Sequence, residues 1–424
     1  MKKIKYFVLF IMILCLNQIY AQKSLTLQES KQLALQNNAK SKNSRLEIEA
    51  SRQIKKSAFT NFFPSISAGG ATFEAQKGLV GMSLGGMSIS MLEKGTFGFI
   101  NVIQPVFAGG RILNGNKLAR LGVEVSELQE KMARNEIILK SEEQYRTIVS
   151  LEEKYKTVLK YEELLNSILR QVEDAFNSGI VMKNDVLKVK LKLSELMLNK
   201  SKLENGRKLA AMAFCQYIGI PYEEGIVFGD AMEVTDTPQS SYTENAEALK
   251  MRNEYNLLQK SVEAEELQTK MKLGEYLPQA GIGISGLYMK IDDGESNTRG
   301  LVFGTISVPI SQWWSGSHEL QERSIKEDIA KNNFKNNSEL LLLQMEKAWQ
   351  DLTDSYKQYQ LSVQSKEQAE ENLKVNNDSY KNGLINVSDL LEAQALCQQM
   401  QDQYTDAKVN YLIKKTAYLQ TTGR

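Results

Sequence analysis

SYKNGLINVSDLLEAQ, residues 379–394, decides how this chain folds. Gly383 closes a long stretch free of proline, and Asp389 stands six residues beyond it. AFNSGIVMKNDVL, residues 175–187, carries the same punctuation at Gly179 and Asp185, and both glycines and both acids are 204 residues apart. Around each glycine the helical pattern breaks for a few residues and then resumes. A helix that ends on a left-handed glycine and a second one that starts on a polar cap give that signature. Asn184 and Ser388 are the candidate caps.

Working outward, Pro105 in QPVFAGG and Pro309 in VPISQWWSG repeat the offset of 204, while Pro64 in FFPSISA and Pro278 in YLPQAGI lie 214 apart. Neither 106–220 nor 310–424 contains a proline, so each accommodates very long helices. Leu118, Leu121, Val125, Leu128 and Met132, and in the other half Met345, Trp349, Leu352, Tyr356, Tyr359 and Val363, advance in steps of three and four, the spacing of a coiled-coil seam. The 69 residues from Gly110 to Gly179 and the 67 from Gly316 to Gly383 predict matched helices of about 100 Å at the helical rise. Return helices follow over 184–218 and 388–421. Helical segments 27–60, opened by a Thr26-x-x-Glu29 capping box, and 244–275 precede the proline-flanked β segments. These segments pair 62–75 with 96–107 and 279–290 with 299–310. Loops 76–95 and 291–298 read as turns at hairpin tips.

The chain is thus predicted to be mainly α with a small β part, built on an internal two-fold repeat. Residues 22–220 form the first structural repeat, with hairpin 62–107 and helical hairpin 111–218; 221–243 are a linker. Residues 244–424 form the second, with hairpin 279–310 and helical hairpin 316–421. Lys2, Lys3 and Lys5, an apolar run from Tyr6 to Leu16 and the small Ala21 mark residues 1–21 as a secretory signal peptide. Cys15 follows the bulky Met12, Ile13 and Leu14, where a lipidated cysteine needs a small neighbour, so no lipid anchor is expected.

Composition excludes whole classes of function. The 52 basic and 51 acidic side chains of this 424-residue chain leave no field for holding nucleic acid. One histidine and three scattered cysteines do not make a zinc site. A hydrolase needs a nucleophile beside a base, and His318, next to Glu319, is the single histidine. Neither cofactor nor metal nor catalysis is expected. Past the signal region no apolar run is long enough for a membrane-crossing helix.

Two hairpins give four strands per chain, whereas even small transmembrane barrels use about eight. Open strand edges in lipid leave backbone groups unpaired, so the chain must oligomerise. Two copies give eight strands and three give twelve, and the arithmetic leaves both open.

The doubled layout, the FFPSISA and YLPQAGI strand entries, the QPVFAGG and VPISQWW exits, and above all YKNGLINVSDLLEAQ resemble the TolC-type outer membrane efflux proteins. The resemblance spans the mature chain. It implies a homotrimer whose strands close a twelve-stranded barrel in outer membrane lipid and whose helical hairpins form a periplasmic tunnel, an α-barrel. It also implies an adaptor of the membrane fusion type and an inner-membrane pump of the resistance-nodulation-division or ABC type. Such a duct exports small molecules or proteins. Gly179, Ile180, Gly383 and Leu384 fall on the family's adaptor-docking tips. Asp389 and Glu392 fall on the acidic pair that narrows the entrance, and Asp185 and Tyr380 on its closing network. One position departs: two residues after the second tip glycine the family has a basic residue, and this chain has Ile385.

Plainer readings stand beside these. Asp185 and Asp389 also suit the first turn of any helix, where the positive N-terminus favours acids by about 0.3–1 kcal/mol. Trp349, Tyr356 and Tyr359 fit seam packing better than a ligand box. Met82, Met87 and Met91 suit soft metal ions, although flexible apolar filler or membrane-facing packing explains them more simply. Cys215 and Cys397 are not equivalent in the repeat and lie about 33 Å apart in helical height, beyond disulfide reach. The competing architecture is a non-porous periplasmic coiled-coil scaffold or adaptor, which has no need of four β segments.

Overall fold

The computed structural model describes residues 24–76, 80–84, 87–91, 93–229, 232–291 and 294–424; the signal peptide assigned to 1–21, with Cys15, lies outside the described residues. In chain order the elements are β1 (Ser24–Leu25), α1 (Leu27–Asn37), α2 (Ala39–Thr60), β2 (Ser65–Glu74), β3 (Val80–Leu84), β4 (Met87–Met91) and β5 (Lys94–Ala108). Then come α3 (Arg111–Asn177), α4 (Lys183–Ile218), β6 (Val227–Phe228), α5 (Asn245–Met251), α6 (Asn253–Glu275), β7 (Gln279–Ile291), β8 (Asn297–Ser307), α7 (Trp313–Lys381) and α8 (Val387–Thr421). The chain is mostly helical with antiparallel strands. It clusters into two compact units, one of residues 1–45, 130–253 and 340–424, the other of 46–129 and 254–339.

The first unit is helical. The capping box predicted at Thr26 is present: the Glu29 amide donates to the Thr26 hydroxyl at 3.2 Å, and the Thr26 amide donates to the Glu29 carboxylate at 3.0 Å. Its main core is aromatic. Tyr145, Phe214 and Phe228 meet edge to face at 5.7–6.0 Å, and the Tyr145 hydroxyl donates to the Leu25 carbonyl at 2.9 Å. Met345 and Leu352 of the predicted seam are fully buried. Trp349, Tyr356 and Tyr359 pack on Tyr418 and Tyr411 with ring centres 5.1–6.2 Å apart, so these aromatics are core. Cys215 and Cys397 are both buried, and neither is in a disulfide.

Glu142 is buried in the same unit, held by Lys31 at 2.5 Å and Arg146 at 2.6 Å. Burial alone pushes its carboxyl up; the two cations outweigh that and hold it below the ordinary value. A carboxyl depressed by folding adds stability above the unfolded pKa and loses it as pH falls through the folded one.

The second unit carries a four-stranded antiparallel sheet in the order β2-β5-β7-β8. Register fixes its faces. Ile66, Val102, Ile284 and Val302 stand in one cross-strand row. The opposite face mixes Ser65, Ser67, Asn101, Ser285 and Arg299 with Phe97, Phe99, Ile103, Leu287, Leu301 and Phe303, and the Ser285 hydroxyl lies 2.5 Å from the Asn101 amide oxygen. Both faces are solvent-exposed; Val302 is 76% and Ile306 80% accessible. Loop 76–95, expected to be a turn, contains a hairpin of its own, β3 with β4. Its Val, Met and Ile alternation with serines supports strands, a period masked by the surrounding glycines. The side chains of Met82, Met87 and Met91 lie outside the described part of the molecule.

Where β5 turns into α3 and α6 into β7, two glycines let backbones meet. Gly109 has φ +62°, and a Cβ there would sit 2.1 Å from the Gly274 carbonyl oxygen. The Trp313 indole N–H donates to the Tyr276 carbonyl at 2.9 Å, and Tyr276 donates its hydroxyl to Glu319 at 2.7 Å. Lys272 completes that junction 2.5 Å from Glu319, whose carboxyl drops to about 2 under hydrogen bonds from Lys272 and Tyr276. His318, the single histidine, is exposed beside it.

Removing Glu142 leaves two cations without their anion in a buried site, so Glu142→Ala should lower unfolding stability by about 3–5 kcal/mol. Denaturant titration checks this. Glu142→Gln should also flatten the fall in stability that the native protein shows on acidification below the ordinary carboxylate range.

Candidate functional site

The first unit brings the two glycine tips together. Gly179 and Gly383 have φ +73° and +69°, the left-handed conformation predicted for them. After Gly179 the Ile180 amide donates to the Ala175 carbonyl, and the Gly179 amide to the Phe176 carbonyl, both at 2.9 Å. After Gly383 the Leu384 amide donates to the Ser379 carbonyl at 2.9 Å and the Gly383 amide to the Tyr380 carbonyl at 3.0 Å. This is the same Schellman closure twice. Ile180 and Leu384 then project into solvent, 77% and 75% accessible.

The predicted caps are displaced. Asn184 lies inside α4, whose N-cap is Met182 with no side-chain bond. Ser388 lies inside α8, where Asn386 is the cap: its side-chain oxygen accepts from the Ser388 amide at 2.8 Å and the Asp389 amide at 3.1 Å. Sequence reading placed each helix start one or two residues late because Asn184 and Ser388 are good capping types, whereas the tight turn fixes where helical dihedrals resume.

The four residues expected at the entrance split into two groups. Asp185 is half-buried 3.4 Å from Lys188, and the Lys188 ammonium donates to the Ser388 hydroxyl at 2.8 Å. Tyr380 lies near Asp185: burial pushes its phenol up, and the Asp185 charge adds to that. Asp389 and Glu392, by contrast, are exposed on one face of α8, while Leu390, Leu391 and Ala393 between and beside them are buried. Among the described residues no side-chain hydrogen bond or ion pair reaches either carboxylate. The residue missed by sequence reading is Lys188. Its signal was available, three residues after Asp185 in the first turns of α4, but its bond to Ser388 links positions 200 residues apart. It brings a cation to the tips, where Ile385 cannot.

Residues 275–424 match the outer membrane efflux protein family. The TolC-type resemblance read from the tips is thereby supported in the second half of the chain, and that family transports rather than catalyses. No curated protein sequence matches the chain. The fold is similar to that of the CmeC outer membrane channel of Campylobacter jejuni, at a TM-score of 0.81 and 15% identity, covering 94% of this chain and 85% of that one. It is also similar to the outer membrane protein VceC of Vibrio cholerae, at 0.79 and 14%, covering 94% and 96%. The MtrE outer membrane channel of Neisseria gonorrhoeae, in its open state, matches at 0.75 and 15%, covering 93% and 88%.

A Cβ added at Gly383 meets nothing within 4 Å, so its substitution costs only the left-handed strain. Gly383→Ala should destabilise the tip by about 1–2 kcal/mol and leave the helical core intact. Faster hydrogen exchange at the Leu384 amide, with unchanged protection at Leu352, is the expected result.

Proposed function

We propose that three copies of this chain form an outer membrane efflux duct that extends into the periplasm. One observation carries the reading: the sheet ends in two strands, β2 and β8, that have no partner on their outer sides among the described residues, while its aliphatic face lies exposed. Three such sheets close a twelve-stranded barrel, which removes every edge and gives that face a lipid environment. Aromatic side chains gather where the sheet meets the helices. Phe59 packs on Phe62 and Phe63 ahead of β2, and Trp313 and Trp314 follow β8, a position suited to the membrane interface.

The helical part supports the same assembly. Leu187, Leu191, Leu198, Leu209 and Met212 are exposed along one stripe of α4, a seam awaiting a helix from another copy. Residues 22–220 and 244–424 act as two structural repeats joined by 221–243, after a signal peptide of 1–21. The tips at Gly179, Ile180, Gly383 and Leu384 dock a periplasmic adaptor, which couples the duct to an inner-membrane pump of the resistance-nodulation-division or ABC type. Small molecules or proteins pass from that pump through the tunnel.

Asp389 and Glu392 from three chains make six carboxylates at the periplasmic entrance, and low-dielectric walls concentrate their field. Lys188 ties α4 to α8 through Ser388, Tyr380 of α7 lies beside Asp185 of α4, and together they hold the entrance closed.

Light scattering in detergent should give three protomers per particle; a monomer that stays soluble without detergent would refute the barrel. In planar bilayers the native duct should prefer cations and be blocked from the periplasmic side by trivalent cationic complexes. The Asp389→Ala, Glu392→Ala double variant should lose most of both effects with trimer yield unchanged. Gly383→Trp should keep its trimer and lose adaptor crosslinking.

A further inference from the structure

We propose that the aliphatic face of the sheet holds a binding site for a phosphate-bearing lipid, an inference that rests on the barrel reading above. It starts from the glycines, which are treated differently on the two faces. On the face that carries Phe97, Leu287 and Leu301, Gly69, Gly95 and Gly283 lie under the rings of Phe99, Phe73 and Phe303, so close that a Cβ would fall 2.5–2.8 Å from ring carbons. Those glycines exist to seat an aromatic. On the aliphatic face, Gly286 and Gly300 have nothing within 4 Å of an added Cβ, and Gly98 has only a carbonyl oxygen at 3.8 Å.

Register places these open positions side by side. One cross-strand row reads Ala68, Ile100, Gly286, Gly300, and the next Gly70, Gly98, Tyr288, Thr298. Glycine weakens a strand interior, and where no side chain fills its space it marks the close approach of something else. The result is a depression of about 570 Å³, its lining including Ala68, Gly98, Ile100, Gly286, Tyr288 and Thr298. Polar groups are nearly absent from it apart from Tyr288 and Thr298 at one end.

The next row along the same strands is Thr72, Thr96, Lys290. It opens a second depression of about 550 Å³ lined by Lys290, Lys94, Glu74 and both threonines. Glu74 stands opposite Lys94 in the register, which leaves Lys290 as the cation nearest the apolar notch. An apolar trough leading to a lysine and hydroxyls fits an acyl chain with its phosphate, and the exposed aliphatic surface around it gives such a lipid direct access. A water-soluble phosphate would have no use for the glycine floor.

Native mass spectrometry of the detergent-purified trimer tests this with dioleoyl phosphatidylglycerol and the matching diacylglycerol. The native trimer should bind phosphatidylglycerol in discrete copies up to one per chain. Gly286→Val, in the notch, with Gly300→Val at its cross-strand partner puts strand-favouring residues where an added Cβ meets nothing within 4 Å. This variant should bind both lipids about tenfold more weakly, as expected for losing roughly two methylenes of contact. Lys290→Gln should weaken phosphatidylglycerol about fivefold and leave diacylglycerol unchanged. Undiminished binding by the filled variant, or equal binding of the two lipids by the native trimer, overturns the site while leaving the barrel standing. A chain that gives no trimer fails the barrel reading first and this site with it.

Discussion

An unpaired strand edge is the constraint on which this molecule turns. In the sheet, β5 and β7 are hydrogen-bonded on both sides, and among the described residues β2 and β8 on one side only. Water can satisfy such an edge, but one face of the same strands exposes Ile66, Ile100, Ile282, Ile284, Val302 and Ile306, which water does not favour. The sheet is therefore stable in neither solvent as a single copy: lipid accepts the face and rejects the edges, and water does the reverse. The closure proposed above, against further copies, would resolve the conflict.

The helical unit meets a different problem. Helices of 67 and 69 residues offer far more surface than one chain can cover, and their cores are correspondingly local. One cluster is organised around Tyr145, Phe214, Tyr411 and Tyr418, and another around Val158, Leu165, Val189 and Leu390. Between them the surface is tied by ion pairs such as Lys200 with Glu162 at 2.7 Å and Arg207 with Glu152 at 2.9 Å. Pairs that solvent still reaches in this way add little each. The apolar stripe left on α4 is then the surface that the proposed assembly would cover.

Much of this was legible in the sequence because backbone chemistry leaves strong marks. Proline and glycine located the strand ends and the two tips, since few other residues serve at those dihedrals. The seam Met345 to Tyr359 was readable because helical periodicity persists over many turns. Hairpin β3–β4 was not, because short alternation amid glycines looks like a turn. The caps were displaced because Asn and Ser favour caps generally, and only the turn geometry decides which residue occupies the position. Lys188 was missed for a third reason: its partner Ser388 is remote in sequence, and one chain's sequence carries no signal of that contact.

The two tips also show how equal backbones come to do unequal work. Both glycine closures have the same hydrogen bonds, yet the helix starts that follow differ. On α8 the Asn386 side chain satisfies the amides of Ser388 and Asp389, so the first turn is complete without help from its acids. Asp389 and Glu392 therefore remain exposed and without a side-chain partner among the described residues. On α4 Met182 gives no such cap, and Asp185 is engaged by Lys188, which in turn grips Ser388 of the other tip. Two residues after the second glycine stands Ile385, which brings no charge, and a cation arrives from the neighbouring helix instead. A lysine one turn inside α4 binds across to α8 without covering the acidic pair. In the proposed entrance, the Lys188–Ser388 contact and the exposed Asp389 and Glu392 are therefore different residues, and each is open to change without the other.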